Sequence, residues 1–124
     1  MLDLPPPEVL RVGDITVIAP GPAYEHIYEN MLGAFEGLIQ VAEEAEPPLL
    51  LVDLANTRHA GSAFLGFLMR LSGRVTQQTA GRFGVCSATP FCRTVIKTTR
   101  MDTVWELFDT RDEAVASFSS NGNE

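Results

Sequence analysis

Ser62 is the hydroxyl best placed to do chemistry in this chain. The apolar run Leu49-Leu50-Leu51-Val52 ends in Asp53-Leu54, a short polar loop covers Ala55 to Gly61, and Ser62 opens an amphipathic stretch from Ala63 to Ser72. The pattern reads as a buried strand, a loop and a helix with a serine in its first turn. A strand feeding a helix start carries that hydroxyl to the carboxyl edge of a sheet, where open α/β folds place ligands and modification sites. Two chemistries use a serine so placed. Nucleophilic attack from a strand-turn-helix elbow requires glycine two residues to either side, and those positions hold Ala60 and Phe64. His59, three residues upstream, is poorly placed as a triad base. No catalytic residue is therefore assigned, and the chain is not expected to be an enzyme. Modification of the hydroxyl is the second chemistry. A serine at a helix N-cap satisfies a free N–H and contributes about 1 kcal/mol without any modification. A phosphate on it would add roughly −1.5 to −2 charge, which the free N–H groups and dipole of a helix start accommodate. Arg58, four residues upstream, is positioned in the sequence to pair with that phosphate.

Other chemistries are missing. There is no GxxxxGK[ST] or GxGxxG phosphate loop. His26 and His59 are not spaced as metal ligands; His26 is expected on an exposed helix surface, and His59 draws interest because it precedes Ser62. Cys86 and Cys92 do not form CxxC and have no second pair, so two buried thiols are expected rather than a zinc site or a disulfide. No metal and no cofactor is assigned. The formal net charge of −7 argues against nucleic acid as a partner. No apolar run approaches the roughly 20 residues that span a bilayer, and Met1 to Glu8 is Pro-rich and acidic rather than signal-like. A cytoplasmic protein without membrane insertion is expected.

The elements that must position Ser62 follow from periodicity. Residues 1–7 are expected to form a loose arm around Pro5-Pro6-Pro7. Val9 to Val12 and Ile15 to Ala19 are short β-prone runs joined by a Gly13-Asp14 turn. Pro20-Gly21-Pro22 breaks the chain. Ile27, Met31, Ala34, Leu38 and Val41 make a stripe that predicts one helix from about Ala23 to Ala45, stopped before Pro47-Pro48. Leu49 to Leu54 suits a strand buried on both faces. The second helix, about Ala63 to Thr79, has the stripe Phe64, Leu68, Leu71 and Val75, and Gly81 ends it. Phe83 to Cys86 is a strand. Thr89-Pro90 starts a third helix carrying Phe91, Val95 and Ile96. Thr103 to Phe108 is a last strand in which Trp105 packs. Thr110 with Glu113 is a capping box before a helix with Ala114, Val115 and Phe118, and residues 119–124 form a polar tail. The order β-β-α-β-α-β-α-β-α predicts one α/β domain over residues 8–118, with a mostly parallel sheet of four to five strands and about four helices.

These residues resemble the STAS domain of bacterial anti-sigma factor antagonists. The resemblance lies in Val52-Asp53-Leu54, the loop, Gly61-Ser62-Ala63-Phe64-Leu65-Gly66, the later Phe83-Gly84-Val85-Cys86 with Thr89-Pro90, and the closing strand, Thr-capped turn and Ala-Val helix. It implies a STAS fold and a protein-binding role: docking an anti-sigma factor or switch-protein serine kinase, with Ser62 at the position the family phosphorylates. The implied contact residues are Arg58, His59, Ala60, Gly61, Ala63, Phe64, Gly66 and Arg70. Phe64 has two readings, core residue or exposed aromatic anchor. Gly61, Ala63 and Phe64 stand where the family has an acidic residue, a second hydroxyl and a glycine. That departure keeps open a second function, a non-switching STAS subunit of a signalling scaffold or transport complex. Neither the oligomeric state nor the identity of the partner follows from the residues.

Overall fold

The structure is a computed structural model and describes residues 4–120. Strands β1 (Glu8–Val12) and β2 (Ile15–Ala19) pair antiparallel, Val12 opposite Ile15. Gly13 turns the hairpin at φ +61°, a left-handed conformation that glycine adopts without steric cost. Residues 1–3 of the expected arm lie outside the described residues. Residues 4–7 are anchored: the Tyr24 hydroxyl donates to the Pro5 carbonyl at 2.5 Å, Pro7 is buried and Leu4 packs against the core.

The helix expected over residues 23–45 is not one helix. Pro22–Tyr24 is a single 3₁₀ turn, β3 is the two-residue strand His26–Ile27, Glu29–Phe35 is 3₁₀, and only Gly37–Glu44 is α-helical (α1). Gly33 and Gly37 weaken helix propensity, and long-range pairing takes over the first part. The Glu25 carbonyl accepts the Arg58 and His59 N–H groups, and Ile27 accepts that of Gly61. The apolar stripe is still used, since Ile27, Met31 and Leu38 are buried.

β4 (Leu49–Asp53) runs parallel between β2 and β6 (Arg82–Cys86), and β7 (Glu106–Phe108) closes the far edge. The sheet order is β1-β2-β4-β6-β7. A second small sheet pairs β3 with β5 (His59–Ala60) in parallel. Helices α2 (Ser62–Thr76), α3 (Pro90–Thr98) and α4 (Arg111–Ser120) complete the fold. β4 is buried on both faces, as its unbroken apolarity demands: Leu50 and Val52 join the cluster under α1, α2 and α3, while Leu51 joins Ile15, Val17, Cys86, Ala114 and Phe118 under α4.

Three other boundaries differ from expectation. α2 ends at Thr76, ahead of the expected Thr79. Met101–Thr103 is a 3₁₀ turn, so the last strand is short; Trp105 is buried ahead of it, edge-on to Phe83 at 5.6 Å. Cys92 and Ile96 face the core from α3, whereas Phe91 is exposed. The expected tail starts late, because α4 continues to Ser120; residues 121–124 lie outside the described residues.

Candidate functional site around Ser62

The carboxyl ends of β4, β6 and β7 share one edge, and both α2 and α3 start there. Asp53 closes β4 with a buried carboxylate that accepts the Ala55 N–H at 2.9 Å and the Arg111 Nε–H at 2.8 Å. The loop from Leu54 then turns back on β3. At its centre Thr57 is fully buried. Its hydroxyl donates to the Tyr24 carbonyl at 3.0 Å, and its own carbonyl accepts the Thr89 hydroxyl at 2.9 Å. Thr89 is the N-cap residue of α3, as expected, but its hydroxyl ties α3 to the loop instead of capping the helix. Thr57 thus fixes three segments, and the loop reaches α2 in a defined direction.

Ser62 is exposed and is the first residue of α2; the N-cap is Gly61. This corrects the expectation that Ser62 caps the helix, and no side-chain capping bond is formed at this start. The first backbone bonds of α2 are those of Phe64 and Leu65 to the Gly61 carbonyl, so the Ser62 and Ala63 N–H groups belong to the unbonded first turn. An oxyanion on the Ser62 hydroxyl would lie against that turn.

The other expected contact residues divide. Arg58, His59 and Gly61 are exposed and close to Ser62 in the chain, with Ala60 and Ala63 half-buried. Arg58 pairs with Glu25 at 3.6 Å, so its guanidinium is engaged within the protein rather than held for a phosphate. Phe64 is removed from the surface: it is 4% exposed and packs edge-on to Phe35 at 5.7 Å, which settles its two readings in favour of the core. Arg70 faces solvent, but its guanidinium holds both oxygens of Glu36 at 3.3 Å. Gly66 is half-buried on the same helix.

These pairs belong to a larger charge pattern. Residues 54–101 contain no Asp or Glu and seven basic residues: Arg58, Arg70, Arg74, Arg82, Arg93, Lys97 and Arg100. Five of them pair with carboxylates from outside that stretch, Arg74 with Glu43, Arg82 with Glu106 and Arg93 with Asp109 among them. Exposed pairs of this kind contribute at most about 1 kcal/mol each. Two of them, Arg70 with Glu36 and Arg74 with Glu43, fasten the flank of α2 to the segment before it.

Sequence reasoning missed a row of four rings beside Ser62. Tyr28 stacks on His26 (6.3 Å between centroids), His26 on His59 (5.0 Å), and His59 tilts against Phe91 (4.9 Å). Tyr28 and Phe91 are among the exposed large hydrophobic residues. His26 is exposed as expected, but on a strand instead of a helix. No local signal joins rings 33 residues apart; the two glycines that interrupt the 23–45 stripe were the clue that this segment departs from helix.

An apolar crevice between α2 and α3, lined by Ala60, Leu65, Leu68 and Val95, encloses about 20 Å³, room for a single water molecule. Cys86 and Cys92 are buried and unbonded to each other. Burial, then the Asp53 charge, pushes the Cys86 thiol up to about 12, and burial also raises Cys92. Among the described residues no group of three or more His, Cys, Asp or Glu is placed to hold a metal ion, and no helix is long and apolar enough to cross a membrane.

No protein-family model matches the chain, and no curated protein matches it by sequence. Solved structures do. An anti-sigma-factor antagonist (STAS) domain protein from Planctomyces limnophilus superposes with a TM-score of 0.87 at 26% identity, over 93% of this chain and 99% of its own. An anti-sigma factor antagonist from Mycobacterium paratuberculosis gives 0.76 at 27% identity, over 90% and 91%. A Thermotoga maritima protein of the same fold gives 0.78 at 16% identity, over 90% and 92%. With the strand, loop and helix around Ser62 in place, the chain has the STAS-domain architecture of the anti-sigma-factor antagonists.

Proposed function

We propose that this protein is a regulatory binding module of the anti-sigma factor antagonist type. It docks an anti-sigma factor, a switch-protein serine kinase, through the loop Arg58–Gly61 and the start of α2, and phosphorylation of Ser62 ends the interaction. It has no catalytic activity of its own. The observation that carries this reading is an exposed serine at the first turn of α2, at the sheet edge, in a chain that matches antagonist structures over 90–93% of its length. The mechanism is local electrostatics. A phosphate of about −1.5 to −2 charge at Ser62 is accommodated by the free first-turn N–H groups, while Arg58 pairs with Glu25. The same charge placed in a surface that a partner covers opposes docking by desolvation and repulsion, with little change of fold.

The test is co-purification from the native host with wild-type protein and Ser62→Asp. A serine kinase of the anti-sigma class retained by wild type and lost from Ser62→Asp supports the switch. A stable complex that ignores Ser62→Asp supports the second reading, a non-switching subunit of a larger assembly. Gly61 at the N-cap favours that second reading, because it removes the carboxylate that would lie beside the hydroxyl.

A further inference from the structure

His26 and His59 are register partners in the β3–β5 pair. Their rings lie within 4° of parallel, and their Nδ1 atoms are 3.2 Å apart. A neutral imidazole offers one N–H donor and one acceptor nitrogen, while an imidazolium offers donors only. Two Nδ1 atoms at this distance therefore share one hydrogen. The contact is satisfied by two neutral rings, one of them in the Nδ1–H form, or by one neutral and one charged ring. With both rings protonated, two N–H groups face each other and two cations repel.

The surroundings do not cancel that repulsion. The charged groups flanking the pair are Glu25 on the β3 side and Arg58 on the β5 side, of opposite sign and 3.6 Å apart. Tyr28 covers His26 with a neutral phenol, and α3 brings only the apolar ring of Phe91 against His59. The backbone bonds that the pair protects are few: Arg58 and His59 N–H to the Glu25 carbonyl, and Gly61 N–H to that of Ile27. Upstream, buried Thr57 ties the loop to the Tyr24 carbonyl and Arg58 pairs with Glu25, so the imidazole contact is the side-chain tie at the exposed His59–Gly61 end of the loop.

We infer that His26 and His59 form a proton-operated clasp. Closed, it holds the loop before α2, and with it the approach to Ser62, against β3; uptake of the second proton opens it. Histidine is the side chain that ordinarily changes charge between about pH 5 and 8, which sets the range over which the clasp is tested. The inference concerns the loop itself and holds whatever partner the Ser62 surface binds.

The test is NMR on the ¹⁵N-labelled full chain. At pH 8 the ring nitrogens should show one of the two histidines in the Nδ1–H form. Amide protection of Arg58, His59 and Gly61, corrected for intrinsic exchange, should fall about fivefold or more between pH 8 and 5.5, the loss of roughly one hydrogen bond. The amides of Leu51 and Val85 in the main sheet should keep theirs. His26→Phe should abolish the pH response; His59→Phe is the second variant, and main-sheet protection reports that either is folded. Both rings as Nε2–H at pH 8, a change under twofold, or a pH response retained in the folded variants would each overturn the inference.

Discussion

Ser62 and Phe64 lie two residues apart and have opposite environments, because the first turn of α2 points one outward and the other into the core. Ser62→Ala should change stability by less than about 0.5 kcal/mol in urea denaturation, since the hydroxyl makes no capping bond; a loss of 1 kcal/mol or more would mean that it does cap. Phe64→Ala should cost about 3–5 kcal/mol, which rules it out as a probe of binding. Thr57→Val should cost on the order of 1 kcal/mol, because the Tyr24 carbonyl then loses its donor inside the protein. The identity of the exposed serine was legible from the strand-loop-helix pattern. Its exact position was not: Gly61 and Ser62 are both acceptable at a cap, and the choice was made by the pull of Ile27 on the Gly61 N–H. The partner of Arg58 was equally hidden, since Glu25 is 33 residues away.

Elements with a single dominant periodicity were readable along the chain. β4 followed from its unbroken apolar run, and the α2 stripe of Phe64, Leu68, Leu71 and Val75 is buried throughout. The capping pattern at α4 holds in part: the Glu113 N–H donates to the Thr110 hydroxyl at 3.1 Å, while the Glu113 carboxylate accepts the Asp109 N–H at 3.3 Å. The segment 23–45 was misread because an apolar residue every three or four positions also fits a 3₁₀ stretch joined to a short helix. Its first part is governed by pairing to β5, which no local pattern encodes. Gly81 was expected to end α2, but the helix stops at Thr76 with Gln77 as its C-cap, and Gly81 lies in the turn that follows, where a side chain is excluded sterically. A Cβ there would lie 1.9 Å from the Val75 carbonyl oxygen, an immovable backbone atom. Gly81→Ala should therefore lower stability by about 1–3 kcal/mol or more, measured as a drop in the urea midpoint; an unchanged midpoint would contradict this geometry. Arg111→Ala should cost about 1–3 kcal/mol by leaving the buried Asp53 carboxylate short of a charged partner.

At the scale of the molecule, acidity and charge act separately. The excess of carboxylates lies outside residues 54–101, so the stretch that carries Ser62 has no carboxylate of its own. Three buried groups set the alkaline limit. Burial raises the Tyr24 phenol above its ordinary 10.0, and the Cys86 and Cys92 thiols above 9.0. Above those ordinary values the unfolded chain releases protons that the native state retains. Stability should therefore be steady to about pH 9 and then fall, by at most about 1.4 kcal/mol per pH unit for each group. A urea midpoint that is constant from pH 8 to 10.5 would contradict this. The central claim is that Ser62 is a switch, and one measurement reaches it directly: mass analysis of the protein from its native host, with tryptic mapping of His59–Arg70, a peptide in which Ser62 is the sole hydroxyl residue. The account predicts a fraction of this peptide carrying one phosphate, changing with growth or stress. A peptide that is never phosphorylated under any of those conditions would contradict the switch and favour the non-switching subunit.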